Sequence, residues 1–196
     1  CNDDRAPPRM DLDFYRPAIL HPQPAVRGRR GRGNMVCEDA ADEMARILDT
    51  FRRELAEEDL TYNVGFMAGG TPAHLSEDGL SATTSGKTNI IPSTAVARGD
   101  LRALTQEQNE RVAERMRAIV ADHLPGTEAQ IAIEFRYPPM APTDGNRALL
   151  DKLNLINADL GREAKQPYPP SLRGAADISF VAPYTDGLAE MGPAGT

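Results

Sequence analysis

Residues 61–102 constrain the fold more than any other part of the chain. They read TYNVGFMAGGTPAHLSEDGLSATTSGKTNIIPSTAVARGDLR. In Thr61–Ala68, Tyr62, Val64 and Phe66 alternate with Thr61, Asn63 and Gly65. In Asn89–Arg102, Ala95, Ala97, Gly99 and Leu101 alternate with Thr94, Val96, Arg98, Asp100 and Arg102. Side chains on a strand point to opposite faces in turn, so the spacing predicts two half-buried strands. They pair antiparallel across the Gly-, Ser- and Thr-rich stretch Thr71–Lys87, which is too long for a simple turn and marks a functional loop.

Two helices accompany these strands. In residues 38–57, Ala41, Met44, Ala45, Leu48, Phe51 and Leu55 recur at helical spacing. Glu38, Asp39, Asp42 and Glu43 fall in the first turns, where the helix dipole favours negative charge; with no histidine beside them they read as cap and dipole residues rather than ligands. Further on, Thr105 and Gln108 form a capping box ahead of Val112, Met116, Ile119 and Val120, and Pro125–Gly126 ends that helix. Residues 129–136 alternate again, with Ile131, Ile133 and Phe135 on one face. The order from residue 38 is helix, strand, strand, helix, strand. One preceding strand completes β-α-β-β-α-β, an α+β split βαβ (ferredoxin-like) unit with both helices on one face of an antiparallel sheet.

The flanks differ in character. Residues 1–25 carry prolines at 7, 8, 17, 22 and 24 and read as an irregular segment. Residues 26–136 hold the predicted unit. After the bend YPPMAPTD at 137–144, a helix over 146–160 presents Leu149, Leu150, Leu153, Leu155 and Ile156, and Gly161 terminates it. A proline-rich loop precedes ADISFVA at 176–182, which reads as a short buried segment. The pieces in 137–196 cannot close a sheet alone and look like part of a second, α/β domain.

Composition narrows the function. The 196 residues are 40% hydrophobic with a formal net charge of -7, which argues against a general nucleic-acid surface. The basic run Arg27–Arg32 opposes that balance and reads either as a local solvated or disordered segment or as a contact for an anion. No stretch approaches a membrane span and no signal-peptide pattern is present. Cys1 and Cys37 lack metal-ligand spacing and do not suggest a disulfide scaffold, which points to a cytoplasmic protein. His21 reads as structural or exposed. His74, Glu77 and Asp78 share the long loop, either as a ligand or acid–base set or as solvated loop residues. Thr83–Gly86 lacks the spacing of a phosphate loop.

Four blocks carry a family resemblance: YNVGFMAGGT at 62–71, KTNIIPSTAVARGDLRALTQEQ at 87–108, YPPMAPTDGNRALL at 137–150 and RGAADISFVAPYTDGL at 173–188. In order and spacing the chain resembles the M20 class of zinc metallopeptidases and aminoacylases, the glutamate carboxypeptidases among them. The resemblance implies a lid and dimerisation domain of split βαβ fold at 26–136, and at 137–196 a partial C-terminal portion of a zinc-hydrolase catalytic domain. Family members hold two zinc ions through an H-x-D motif, a bridging aspartate, an EE pair and a later histidine. No H-x-D or EExG motif occurs here, so the resemblance implies zinc in the complete enzyme and none bound by this chain. It implies a homodimer through the lid and, for the complete enzyme, a small peptide or N-acyl amino acid as substrate, with no nucleic-acid or membrane partner.

The resemblance also assigns residues. Asn89, before Ile90–Ile91–Pro92, matches the asparagine that reaches the substrate carboxylate, for which a neutral amide donor is suited. Arg32, after Gly31, falls where the family carries a carbonyl-polarising histidine; arginine can stabilise an oxyanion but cannot exchange protons at neutral pH. The surrounding AVRGRRGRG lacks alternation, so either the blocks slip there or the first lid strand is degenerate. Asp177 matches an aspartate that orients active-site groups. Two functions of different class follow: a fragment of a zinc amidohydrolase in which metal-activated water attacks an amide carbonyl, inactive as this isolated chain, or a non-catalytic dimerisation or interaction module. Whether the chain is itself an enzyme stays open at this point.

Overall fold

A computed structural model describes residues 9–14, 39–172 and 176–188. The elements are strand β1 (Arg9–Phe14), helix α1 (Ala40–Glu54), strands β2 (Thr61–Gly70), β3 (Ala73–Leu75), β4 (Ala82–Thr84) and β5 (Thr94–Arg102), helix α2 (Gln106–Ala121), strand β6 (Glu128–Ile133) and helix α3 (Asp144–Asp159). Two 3-10 turns follow, at Pro170–Leu172 and Asp177–Phe180. The arrangement is α+β around an open four-stranded sheet in the order β2-β5-β1-β6.

The predicted hairpin forms. β2 and β5 pair antiparallel from Thr61 with Arg102 to Gly70 with Thr94, with an irregularity between Val64 and Phe66. The second strand starts later than its alternation suggests, at Thr94 rather than Asn89.

The first strand corrects two expectations. Residues 1–25 are not wholly irregular: Arg9–Phe14 fills the slot between β5 and β6. It also runs parallel to both neighbours, so the sheet is mixed rather than antiparallel throughout. The window RMDLDF lies between Pro8 and Pro17 and alternates Met10, Leu12 and Phe14 with Asp11 and Asp13. Those three share register with Ala95, Ala97 and Gly99 on one side and Ala129, Ile131 and Ile133 on the other. A strand with this alternation serves a central slot in either direction, because parallel and antiparallel ladders both satisfy its backbone groups. The stretch 26–33, expected to supply this strand, lies outside the described residues.

Both helices lie on one face of the sheet. Ala40, Met44, Ile47, Phe51 and Leu55 meet Val112, Met116, Ile119 and Val120 over Ala95 and Ala97, with Tyr62, Val64, Leu101, Ile131 and Ile133 at the margin. Burying a side chain such as Ile47 or Phe51 stabilises the fold by roughly 2 kcal/mol. The buried stripe of α1 sits one residue away from part of its sequence pattern: Ala40 and Ile47 are inside, Ala41 and Ala45 are exposed, and Leu48 is half-buried. Asp39 caps α1 by accepting from the N–H groups of Ala41 and Asp42 at 2.8 and 3.0 Å. Thr105 caps α2 by accepting from Gln108 N–H, and the Gln108 side chain reaches back to Leu104 N–H at 2.8 Å.

The opposite face carries a small hairpin where a plain loop is expected. β3 and β4 pair His74 with Thr83. The hairpin folds over β5, and Arg98 beneath it donates to the carbonyl oxygen of Asp78 at 3.1 Å.

Beyond β6 the character changes. Among the described residues, every fully buried hydrophobic side chain lies between Ala40 and Val120. The described residues of 144–188 bury only Asn157 and Ser179, while Leu155, Ile156, Leu160, Phe180 and Tyr184 stand in solvent, Tyr184 at 87% exposure. ADISFVA is thus a 3-10 turn and not a buried run. Local bonds hold this part together: Thr143 caps α3 through Asn146 N–H and donates to Asp186 at 2.6 Å, and Asn146 accepts from Gly187 N–H at 3.0 Å. Among the described residues, no helix is long and apolar enough to cross a membrane.

Candidate functional site

Asn89 lies in a turn, not at a strand entry. Ile90 N–H donates to Lys87 O at 3.0 Å and closes the turn, with Asn89 exposed at its tip. The reason is local. Pro92 has no N–H to give a ladder, so pairing with β2 resumes only beyond it. The Asn89 side chain makes no hydrogen bond among the described residues, which leaves both its donors and its acceptor facing solvent.

The segment bearing Asn89 is fastened to the end of β2. Ser93 N–H donates to Gly70 O at 2.9 Å, and Thr71 Oγ1 donates to Ile91 O at 3.1 Å. Thr71 is itself held at both main-chain groups by Ser85: its N–H donates to Ser85 O at 2.6 Å, and its carbonyl accepts from Ser85 Oγ at 3.1 Å. Thr84 Oγ1 adds a bond to Gly69 O at 2.8 Å. The approach is close enough to need glycine, since a Cβ on Gly70 would overlap Thr84 Oγ1 and the Ser85 carbonyl. Three chain segments therefore meet at Gly69–Thr71.

His74, Glu77 and Asp78 do not form a ligand set. His74 is exposed on β3. Asp78 accepts from Ser76 Oγ at 2.5 Å and from Leu80 N–H at 2.9 Å. These bonds, the serine's foremost, together with the nearby Arg98 charge hold its carboxyl below the usual aspartate range. Its role is to shape the hairpin turn. Among the described residues, no group of three or more His, Cys, Asp or Glu side chains converges to hold a metal ion. These donors do not fit a zinc centre.

Asp177 opens the 3-10 turn Asp177–Phe180 and is exposed. Tyr137 Oη donates to its Oδ1 at 3.2 Å, and the Tyr137 ring lies 5.1 Å from that of Phe180. This small cluster joins the chain leaving β6 to the 176–188 segment. No hydrogen bond links Asn89 to Asp177. Arg32 lies outside the described residues, as do His21, Cys1, Cys37 and the basic run Arg27–Arg32.

Several organising residues escape sequence patterning. Glu43 reads as a first-turn acid but is fully buried and bound to Arg46 and to the Leu124 N–H. Arg98 reads as the polar side of a strand but is roofed by the hairpin. Thr71 stands in the GGT of a resembling block, yet only the fold shows what its hydroxyl meets.

A comparison with curated proteins and one with solved structures each find no match. Residues 24–128 match the family model of the peptidase dimerisation domain of the M20 class, which spans more than half of the 196 residues, and the chain belongs to that family.

Proposed function

We propose that this chain is the dimerisation lid, over about residues 26–136, and a partial catalytic-domain segment, over 137–196, of a zinc-dependent peptidase or amidohydrolase. The complete enzyme cleaves an amide bond of a small peptide or an N-acyl amino acid. The isolated chain works without that chemistry. Asn89 offers its amide to a substrate carboxylate, Asp177 orients groups beside the reacting bond, and Arg32 takes the place of a histidine. The family match over 24–128 carries the reading. The open apolar side chains of 144–188, which find no core among the described residues, support a segment that completes itself against further catalytic-domain structure.

A second reading has its own support. The matched region is the dimerisation domain alone, which favours a non-catalytic homodimeric interaction module. One observation separates the two. Sequencing upstream in the same reading frame should show an H-x-D motif followed by an EE pair if the chain is part of an enzyme. A stop codon or unrelated sequence there would overturn the enzyme reading and leave the module.

A further inference from the structure

We propose that Thr71 is the positioning residue for Asn89, the threonine hydroxyl setting where the Asn89 amide stands. The proposal rests on the reading of Asn89 as the donor to a substrate carboxylate. Among the described residues, the bonds tethering residues 87–92 to the preceding fold are few. The Ile90 N–H to Lys87 O bond lies within the turn. The external ones are Thr71 Oγ1 to Ile91 O and, one residue beyond, Ser93 N–H to Gly70 O. The hydroxyl therefore grips the segment two residues from Asn89, on the same chain direction as the turn.

Threonine suits this task for two reasons. Its β-branch restricts χ1, so the hydroxyl has few directions to sample. Its own backbone is pinned on both sides by Ser85, N–H and carbonyl alike. A donor held this way transmits the position of the β2 end to an otherwise solvent-facing turn. Positioning groups act strongly when their own supports are fixed, because small displacements of a contact group weaken it heavily.

The test uses Thr71→Val, which keeps the shape and removes the hydroxyl, and Thr71→Ser, which keeps the hydroxyl. Hydrogen exchange at Ile90 and Ser93 should accelerate about fivefold in Thr71→Val, the effect of losing one ordinary hydrogen bond. In Thr71→Ser it should stay within about twofold of the parent, and α1 and α2 should be unchanged in both variants. Unchanged exchange at Ile90 and Ser93 in Thr71→Val would overturn the proposal. So would equal acceleration throughout α1 and α2, which would make Thr71 a general support of the fold. A parallel titration of the labelled chain with N-acetylglutamate follows the Asn89 side-chain amide signal. A shift in the parent that weakens in Thr71→Val and returns in Thr71→Ser supports the proposal; a shift equal in all three sinks it. No shift in the parent sinks Asn89 as the donor, and the exchange result then still decides whether Thr71 sets the segment.

Discussion

The carboxylate of Glu43 accepts the backbone N–H of Leu124 at 3.1 Å, across eighty-one residues of sequence. Glu43 is fully buried and also takes both Nε and Nη2 of Arg46 at 2.9 and 2.7 Å, while Arg46 donates onward to the Ile119 carbonyl at 3.0 Å. Glu43 thus accepts the Leu124 N–H just past α2 and holds Arg46 against the Ile119 carbonyl in the last turn of that helix. Helix α1 and the end of α2 are locked together by charge-assisted bonds rather than by apolar contact alone.

Glu43→Ala should therefore destabilise the fold strongly. It strips Arg46 of its partner and leaves the Leu124 N–H unsatisfied. Breaking a buried pair from one side costs about 3 kcal/mol or more. Urea unfolding followed by circular dichroism should show that loss. A change below about 1 kcal/mol would mean that water or Asp122 replaces the carboxylate without difficulty.

The hairpin clamp makes a second expectation. Gly79 has a φ of 62°, and a Cβ there would overlap the Arg98 guanidinium. Gly79→Ala meets both the left-handed backbone and the displaced arginine, and should cost about 2 kcal/mol. The same substitution at Gly126, where φ is 81° but nothing lies within 4 Å of a Cβ, carries the backbone part alone. The difference between the two melting temperatures isolates the Arg98 contact; equal shifts would show that the hairpin does not press on Arg98.

The acid limb of stability can be followed at one ion pair. Glu57 accepts from Arg111 Nη2 at 2.5 Å, and from Gln108 Nε2 at 3.3 Å. The arginine bond, above all, holds the Glu57 carboxyl below its ordinary value of 4.5. A carboxyl lowered in the folded state stabilises fully above its unfolded value and loses that contribution as pH falls through its folded value. The stability gap between the parent and Arg111→Gln should therefore be constant at neutral pH and narrow below about pH 4.5. A gap that persists undiminished to about pH 2 would assign the effect to packing and not to ionisation.

How legible this was differs by element. The β2–β5 pair shows in the chain because eight or more residues of alternation on each side leave one solution, and the α2 cap shows because Thr105 and Gln108 have the required spacing. β1 is only six residues long and lies among prolines, so breaker residues outweigh the alternation of Met10, Leu12 and Phe14. β3 and β4 are three residues each, too short for a period-two signal. At the candidate site, Asn89–Ile90–Ile91 looks like strand because isoleucines favour extended backbone; only the turn bond from Ile90 to Lys87 and the missing N–H of Pro92 reveal the delay. The roof over Arg98 depends on chain return over the sheet, which no local pattern encodes.

Assembly follows from the sheet edge. Among the described residues the β2 ladder pairs only on its β5 side, leaving an edge from Thr61 to Ala68, beyond which Thr84 Oγ1 takes the Gly69 carbonyl. An edge of that length invites pairing with another chain. In a family of dimerisation domains, self-association is the expected outcome, and sedimentation at tens of micromolar should show a dimer. Met67 is 65% exposed on that edge. Met67→Lys places a charge there and should move the population towards monomer; a parent that sediments as a monomer would count against the lid as the dimer surface.

Asn89 gives the sharpest separation between function and structure. Its amide is exposed at the tip of the Lys87–Ile90 turn and makes no hydrogen bond among the described residues. Nothing in the fold therefore depends on it, and Asn89→Ala should change stability by less than about 0.5 kcal/mol. A turn-capping role would instead lower the melting temperature. If the amide meets a substrate carboxylate, the same substitution in the complete enzyme removes a donor whose partner is charged. Losing such a bond costs roughly 2–3 kcal/mol, or about 30- to 150-fold in kcat/KM. Asn89→Asp is the stricter variant, because it matches the size of the side chain and turns the donor into a carboxylate facing a carboxylate. It should fall below Asn89→Ala in kcat/KM while melting at the same temperature. Equal activity in the parent and both variants would remove Asn89 from the substrate site, and with unchanged melting it would leave the residue without a role in either fold or chemistry.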